Sequence, residues 1–180
     1  MNTHYTRTAV TLHWLIALLI LVGLPLGLYM HDLPLSPHKL RLFSYHKWIG
    51  VTVFVLAVLR LSWRVTHRPP PLPDSMAAWE RFAAEAVHYL LYALIFIIPI
   101  TGWLMSSAKG FQTVWFGVLP LPDLIGKNAE LGDQLHEVHE NLNYALLFLL
   151  LGHVGAALKH HFFQHDDILT RMSPFLRKKP

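Results

Sequence analysis

The sequence predicts an all-α fold: an integral membrane bundle of four helices running up and down through a bilayer. Three observations predict it. Of the 180 residues, 53% are hydrophobic and only 14% are charged. The apolar residues gather in four runs, 10–30, 42–63, 86–107 and 141–158. Those runs hold two of the 15 basic residues, Lys47 and Arg60, and none of the 11 acidic ones. Each run is long enough for a hydrocarbon core of about 30 Å, which a helix crosses in about 20 residues. A water-soluble domain is thereby excluded, and so is a disordered chain, which would be poor in aromatic residues. Residues 1–180 read as one membrane domain.

The first helix is expected over 8–30, with Thr6 or Thr8 as its N-cap. Its apolar stretch exceeds the roughly 7–15 residues of a signal peptide and has no small-residue cleavage site at its end, so it reads as a retained span. Pro34 and Pro37 are expected to break the chain before a second helix at 42–64. The run Arg68-Pro69-Pro70-Pro71-Leu72-Pro73 cannot continue a helix, and its charge places it in water. A third helix is expected over 79–107, kinked at Pro99. The long connection from Ala108 to Asp133 carries Trp115, Phe116, Pro120 and Pro122, which suit the membrane interface better than open water. A fourth helix is expected over 134–163, followed by a tail ending Arg177-Lys178-Lys179.

The net charge of +4 reports topology. Arg7, Arg60, Arg64, Arg68, Arg81, Lys159, Arg171, Arg177, Lys178 and Lys179 fall on the side of the N-terminus, and Lys39, Arg41, Lys47, Lys109 and Lys127 on the other. The excess places both termini in the cytoplasm. No compact basic patch with interleaved aromatics is present, so no nucleic-acid partner is expected.

The chain has no Cys, which excludes disulfides, iron–sulfur clusters, thiolate zinc sites and covalent c-type haem attachment. It has 13 His, more than its 11 acidic residues together. His13, His46, His88, His139 and His153 lie within or at the ends of the apolar runs, where an ionisable side chain is costly. Taken singly, each could snorkel to the headgroups or bond a neighbouring helix. Depth matching argues for ligation instead. In four antiparallel helices, His13 and His153 each lie about 9 Å inside the nearest charge on the cytoplasmic side. His46 and His139 lie at the outer end. Two imidazoles facing each other across a gap are what a haem with two axial His ligands requires. On the fourth helix, His139 and His153 are fourteen residues apart, which brings both to one face with about 21 Å between them. His136 falls off that face, and His160 lies beyond Lys159, in water. Geometry leaves two partners open for His153, namely His13 and His88. Gly50, Gly102, Gly152 and Gly155 would admit a flat ring or simply let helices approach. Trp14, Tyr45, Trp48, Trp103 and Trp115 form an interfacial belt, and Arg60 either snorkels or pairs with a haem propionate.

These residues resemble the bacterial cytochrome b561 family, which is related to the cytochrome b subunits of formate dehydrogenases and hydrogenases. The resemblance is carried by Leu12-His13-Trp14, Tyr45-His46-Lys47-Trp48-Ile49-Gly50, Val87-His88-Tyr89, Pro99-Ile100-Thr101-Gly102, His136-Glu137-Val138-His139-Glu140 and Gly152-His153. It covers almost the whole chain. It implies two non-covalent b-type haems within the four-helix bundle, the cytoplasmic-side one held by His13 and His153 and the outer one by His46 and His139. Gly50 and Arg60 would complete the cofactor surroundings. It implies a bacterial inner-membrane protein, with superoxide oxidation on the periplasmic side and ubiquinone as acceptor. In that reading Lys39, Arg41, Lys47 and Lys109 would steer superoxide, or else serve as ordinary interfacial anchors. The alternative is an electron-transfer or anchor subunit linking the quinone pool to a partner redox protein. A third reading, a His-lined metal carrier without haem, would leave the protein colourless.

Overall fold

Helix α1 (Arg7–His31) starts where the Thr6 hydroxyl accepts the amide of Ala9 at 3.3 Å, so Thr6 rather than Thr8 is the cap. Helix α2 (Pro37–Thr66) begins five residues before the expected 42, because Ser36 caps it and Pro37 occupies the first turn. A proline there lacks only an N–H that has no partner in a helix anyway, so Pro37 opens the helix where a break was expected. Helix α3 (Ala78–Ala108) follows the expected bounds and contains Pro99. Helix α4 (Ala129–Lys159) also begins five residues early, capped by Asn128, whose side chain accepts the amide of Leu131 at 3.0 Å. It stops short of 163. The helix widens into a π-turn over His160–Gln164, and His165 at φ 53° reverses the chain. A fifth short helix, α5 (Ile168–Met172), was not expected. It is tied back by Arg171, which pairs with Asp167 and donates to the Pro71 carbonyl at 2.7 Å. The indole of Trp14 donates to the Met172 carbonyl at 2.8 Å. The computed structural model describes residues 5–72 and 76–173; the expectations that rest on Pro73 and on Arg177, Lys178 and Lys179 fall outside them.

The connection from α3 to α4 contains two short antiparallel strands, β1 (Val114–Trp115) and β2 (Leu119–Pro120), paired Val114 to Pro120 and Trp115 to Leu119. The turn between them uses positive φ at Phe116 and Gly117, 52° and 72°. Three indoles hold this hairpin down. Trp48 donates to the Val114 carbonyl at 2.7 Å, Trp115 to the Thr52 hydroxyl at 3.2 Å and Trp103 to the Pro122 carbonyl at 3.1 Å. Thr52 lies one turn deeper along α2 than Trp48. The hairpin therefore folds back along α2, with Phe116 and Val118 exposed.

Helix α1 packs on α2, α2 on α3 and α3 on α4. Between the two ends of the bundle sit Ile16, Val53, Ala57 and Ile95, continued by Leu94, Ile98 and Leu146. The outward side chains are apolar too: Leu18 is 59% exposed and Phe148 77%. Such a surface is stable only against lipid, and all four long helices are long and apolar enough to cross a membrane. The chain is an all-α membrane four-helix bundle. The near end carries the start of α1, the end of α2, the start of α3 and the end of α4. It is joined by a Lys159–Glu80 ion pair at 2.7 Å and by the Trp63 indole on the Thr6 hydroxyl at 2.9 Å. The other end, with the hairpin, is the far end.

Candidate functional site

Two imidazole pairs face each other across the bundle at two levels. His46 of α2 and His139 of α4 lie at the far level, with ring centroids 6.2 Å apart and planes at 82°. His13 of α1 and His153 of α4 lie at the near level, with centroids 6.2 Å apart and planes at 71°. A metal sits about 2.0 Å from a ligating imidazole nitrogen, so two rings in line across one metal have centroids about 6.3 Å apart. Both pairs match that spacing. His88 also approaches His153, but at 5.2 Å the rings are too close to hold a metal between them in line. His88 instead turns its Nδ1–H onto the Ala84 carbonyl of its own helix at 2.6 Å. Spacing therefore favours His13 over His88.

The far pair rests on a cradle built twice from the same parts. The His46 Nδ1–H donates to the Gly23 carbonyl at 3.1 Å, while its ring lies against Gly27, one turn on. The His139 Nδ1–H donates to the Ile98 carbonyl at 3.1 Å, while its ring lies against Gly102, again one turn on. A Cβ at Gly27 or at Gly102 would come within 3.0 Å of the facing imidazole Cε1. Only a bare Cα lets the ring reach the carbonyl one turn back. The Thr101 hydroxyl donates to the Ile98 carbonyl at 2.8 Å, and its oxygen lies 3.1 Å from His139 Nδ1. With each Nδ1 carrying the proton, each Nε2 is left free as a ligand, and the carbonyl that accepts the Nδ1–H fixes the ring as it does for metal-bound His. Gly102 was legible in the sequence as a place for a flat ring and Thr101 only as part of the motif around it, whereas Gly23 and Gly27 were not singled out. The Gly23-x-x-x-Gly27 spacing was the available signal.

A cavity of about 470 Å³ adjoins the far pair, bounded by Gly50, Phe43, Leu94 and Asn143 as well as both imidazoles. A Cβ at Gly50 would meet nothing within 4 Å, so this glycine keeps the space open. Gly152 and Gly155 are exposed and likewise meet nothing. Among the described residues, no group of three or more His, Cys, Asp or Glu could hold a bare metal ion. Two facing imidazoles suit a haem, whose ring supplies the other four nitrogens, and the gap, the cavity and the donor set all fit one.

The four outer basic residues are not equivalent. Lys39 and Lys47 line the cavity wall. Lys39 donates to the His31 and Leu33 carbonyls at 3.0 and 2.5 Å, and Lys47 to the Phe111 carbonyl at 2.9 Å. Arg41 is exposed, with no hydrogen bond or ion pair among the described residues. Lys109 is held by Asp133 at 3.0 Å. Arg60 lies at the near level, donating to the Tyr92 hydroxyl at 2.9 Å and to the Ala9 carbonyl at 3.3 Å. His136, off the ligand face, stacks on His31 with centroids 5.5 Å apart.

The chain matches the family model described as prokaryotic cytochrome b561 over residues 4–175. It is 36% identical to cytochrome b561 homolog 2 of Escherichia coli (strain K12), over 93% of this chain and 90% of that protein. It is 29% identical to cytochrome b561 homolog 1 of the same organism, over 94% and 97%. It is 27% identical to a probable superoxide oxidase CybB of Yersinia pestis, over 97% and 98%. The chain belongs to the prokaryotic cytochrome b561 family, which implies b-type haem and electron transfer within a membrane.

Proposed function

We propose that this member of the prokaryotic cytochrome b561 family takes electrons from superoxide on the periplasmic side of a bacterial inner membrane and passes them to ubiquinone, with both termini cytoplasmic. In this reading His46 and His139 hold an outer b-type haem, and His13 and His153 an inner one. The observation that carries the two-haem reading is the pair of matched 6.2 Å imidazole gaps at two levels of the bundle. The superoxide reading draws on the name of the Yersinia pestis relative and on the basic residues at the far end. Haem held by these imidazole pairs would supply a one-electron couple that exchanges electrons with a donor it does not bind.

The protein's own residues do the rest. The two carbonyl bonds fix the outer imidazoles. Arg41, exposed on α2 between the cavity-wall residues Lys39 and Lys47, adds a cation beyond those that Asp32 and Glu140 offset, and it attracts a small anion. The reaction balances when two superoxide ions each lose one electron to become dioxygen and one ubiquinone gains both, with two protons, to become ubiquinol.

Stopped-flow mixing of the haem-loaded protein with superoxide, followed by reoxidation with ubiquinone, tests this. Haem reduction by superoxide should be fast and should slow as ionic strength rises. A Lys39→Glu, Arg41→Glu variant that retains its haem should be slowed about tenfold at low salt. Its rate with a neutral reductant should be unchanged. If superoxide reduces the wild type no faster than a neutral donor of similar driving force, with no salt dependence, the subunit reading takes its place.

A further inference from the structure

The two imidazole pairs share their spacing but differ in hydrogen bonding and charge. At the far pair, His46 and His139 both donate Nδ1–H to a carbonyl. Such a bond raises the basicity of the ligating nitrogen, which favours the oxidised metal. The charged side chains of the adjoining cavity balance, Lys39 and Lys47 against Asp32 and Glu140. At the near pair, neither His13 nor His153 has a hydrogen-bond acceptor among the described residues. The carbonyl one turn before His13, that of Ala9, is occupied by Arg60 Nη1 at 3.3 Å. Arg60 also donates to Tyr92, and the guanidinium of Arg64 lies 5.4 Å from the centre of the same ring. Neither arginine has a carboxylate partner among the described residues. A cation about one helical turn from His13, with no protein carboxylate paired to it among the described residues, favours the added electron there.

We propose that Arg60 sets the near haem at a higher potential than the far one, so that electron flow runs inward from the far end. This rests on the two-haem reading. In each transfer the far iron goes from ferrous to ferric and the near iron from ferric to ferrous, one electron leaving one and arriving at the other. Arg60 acts as a positioning residue, through its charge and the Ala9 carbonyl that it withholds from His13. At an effective dielectric of about 20, a unit charge roughly 10 to 12 Å away shifts a one-electron equilibrium by about tenfold.

Redox titration of the purified, haem-loaded protein, followed in the haem absorption bands, tests the proposal. The variants His139→Ala and His153→Ala assign the near and far components. The near component should be the higher. Arg60→Gln should lower it by the equivalent of about a tenfold change in equilibrium constant, about 59 mV, and leave the far component in place. Arg60→Lys, which keeps the charge but not the guanidinium geometry, should restore most of the shift. A far component at or above the near one overturns the proposal. So does an equal shift of both components, or a lysine variant that behaves like glutamine. A count of one haem per chain overturns the two-haem reading along with it, whereas two haems in reversed order overturn this inference alone.

Discussion

Placing one methyl group at Gly102 should weaken haem binding at the far site. An alanine Cβ there would lie 3.0 Å from His139 Cε1 and 3.4 Å from Nδ1. Carbon atoms rest at about 3.5–4.0 Å, so the imidazole has to retreat by at least about 0.5 Å. Its Nδ1 is already 3.1 Å from the Ile98 carbonyl, and the retreat carries that bond to the limit of hydrogen bonding. Overpacking of this kind costs about 1–3 kcal/mol, and the lost hydrogen bond costs about 1 kcal/mol more. Taking about 2 kcal/mol for the part that falls on haem binding, affinity at the far site drops about thirtyfold. The near pair has no contact with Gly102 and should keep its haem. The assay is haem transfer to excess apomyoglobin, with the haem remaining counted by pyridine haemochrome. Gly27→Ala should act in the same way through His46. Gly126→Ala, where a Cβ meets nothing within 4 Å, should change nothing. Wild-type release of both haems from Gly102→Ala would refute the cradle.

Other predictions follow from the same geometry. By haemochrome, His139→Ala and His153→Ala should each keep one haem per chain, and His88→Ala should keep two, because His88 is too close to His153 for a metal to lie between them. Gly50→Leu should fold, since its Cβ meets no neighbour, yet should fill the far cavity and halve the haem content. Lys109→Ala should alter the superoxide rate less than Arg41→Ala, because Asp133 already neutralises Lys109 while Arg41 has no ionic partner among the described residues; stopped-flow rates at low salt distinguish the two.

The membrane architecture and the histidines that face one another across the bundle were legible in the sequence because hydropathy and helical periodicity are local properties. His139 and His153 share a face of one helix, and simple counting finds that. Helix geometry alone left the choice between His13 and His88 open and only the resemblance pointed to His13, because both sit at the same end and the distance between rings separates them. Helix starts were read too late at 42 and 134, since the capping power of Ser36 and Asn128 reaches past the charged, polar turns that follow them. The hairpin escaped notice because it is held by indole bonds to other elements, Trp48 to Val114 and Trp115 to Thr52, which no window along the chain contains. The carbonyl partners of His46 and His139 belong to α1 and α3, so the cradle that distinguishes the far pair from the near one exists only after the helices pack. The equivalence of Lys39, Arg41, Lys47 and Lys109 in the sequence likewise dissolves in three dimensions, where one is paired, one is exposed without a partner among the described residues and two line a cavity.

In the proposed function, two pairs of facing imidazoles each hold one haem. Quantitative electron paramagnetic resonance of the fully oxidised protein tests it most directly. The interplanar angles of 71° and 82° are near perpendicular, an arrangement that gives strongly anisotropic low-spin ferric signals. Two such low-spin centres per chain and no high-spin iron are expected. A single low-spin centre per chain, or a stoichiometric high-spin signal from an iron with an open axial position, would contradict it.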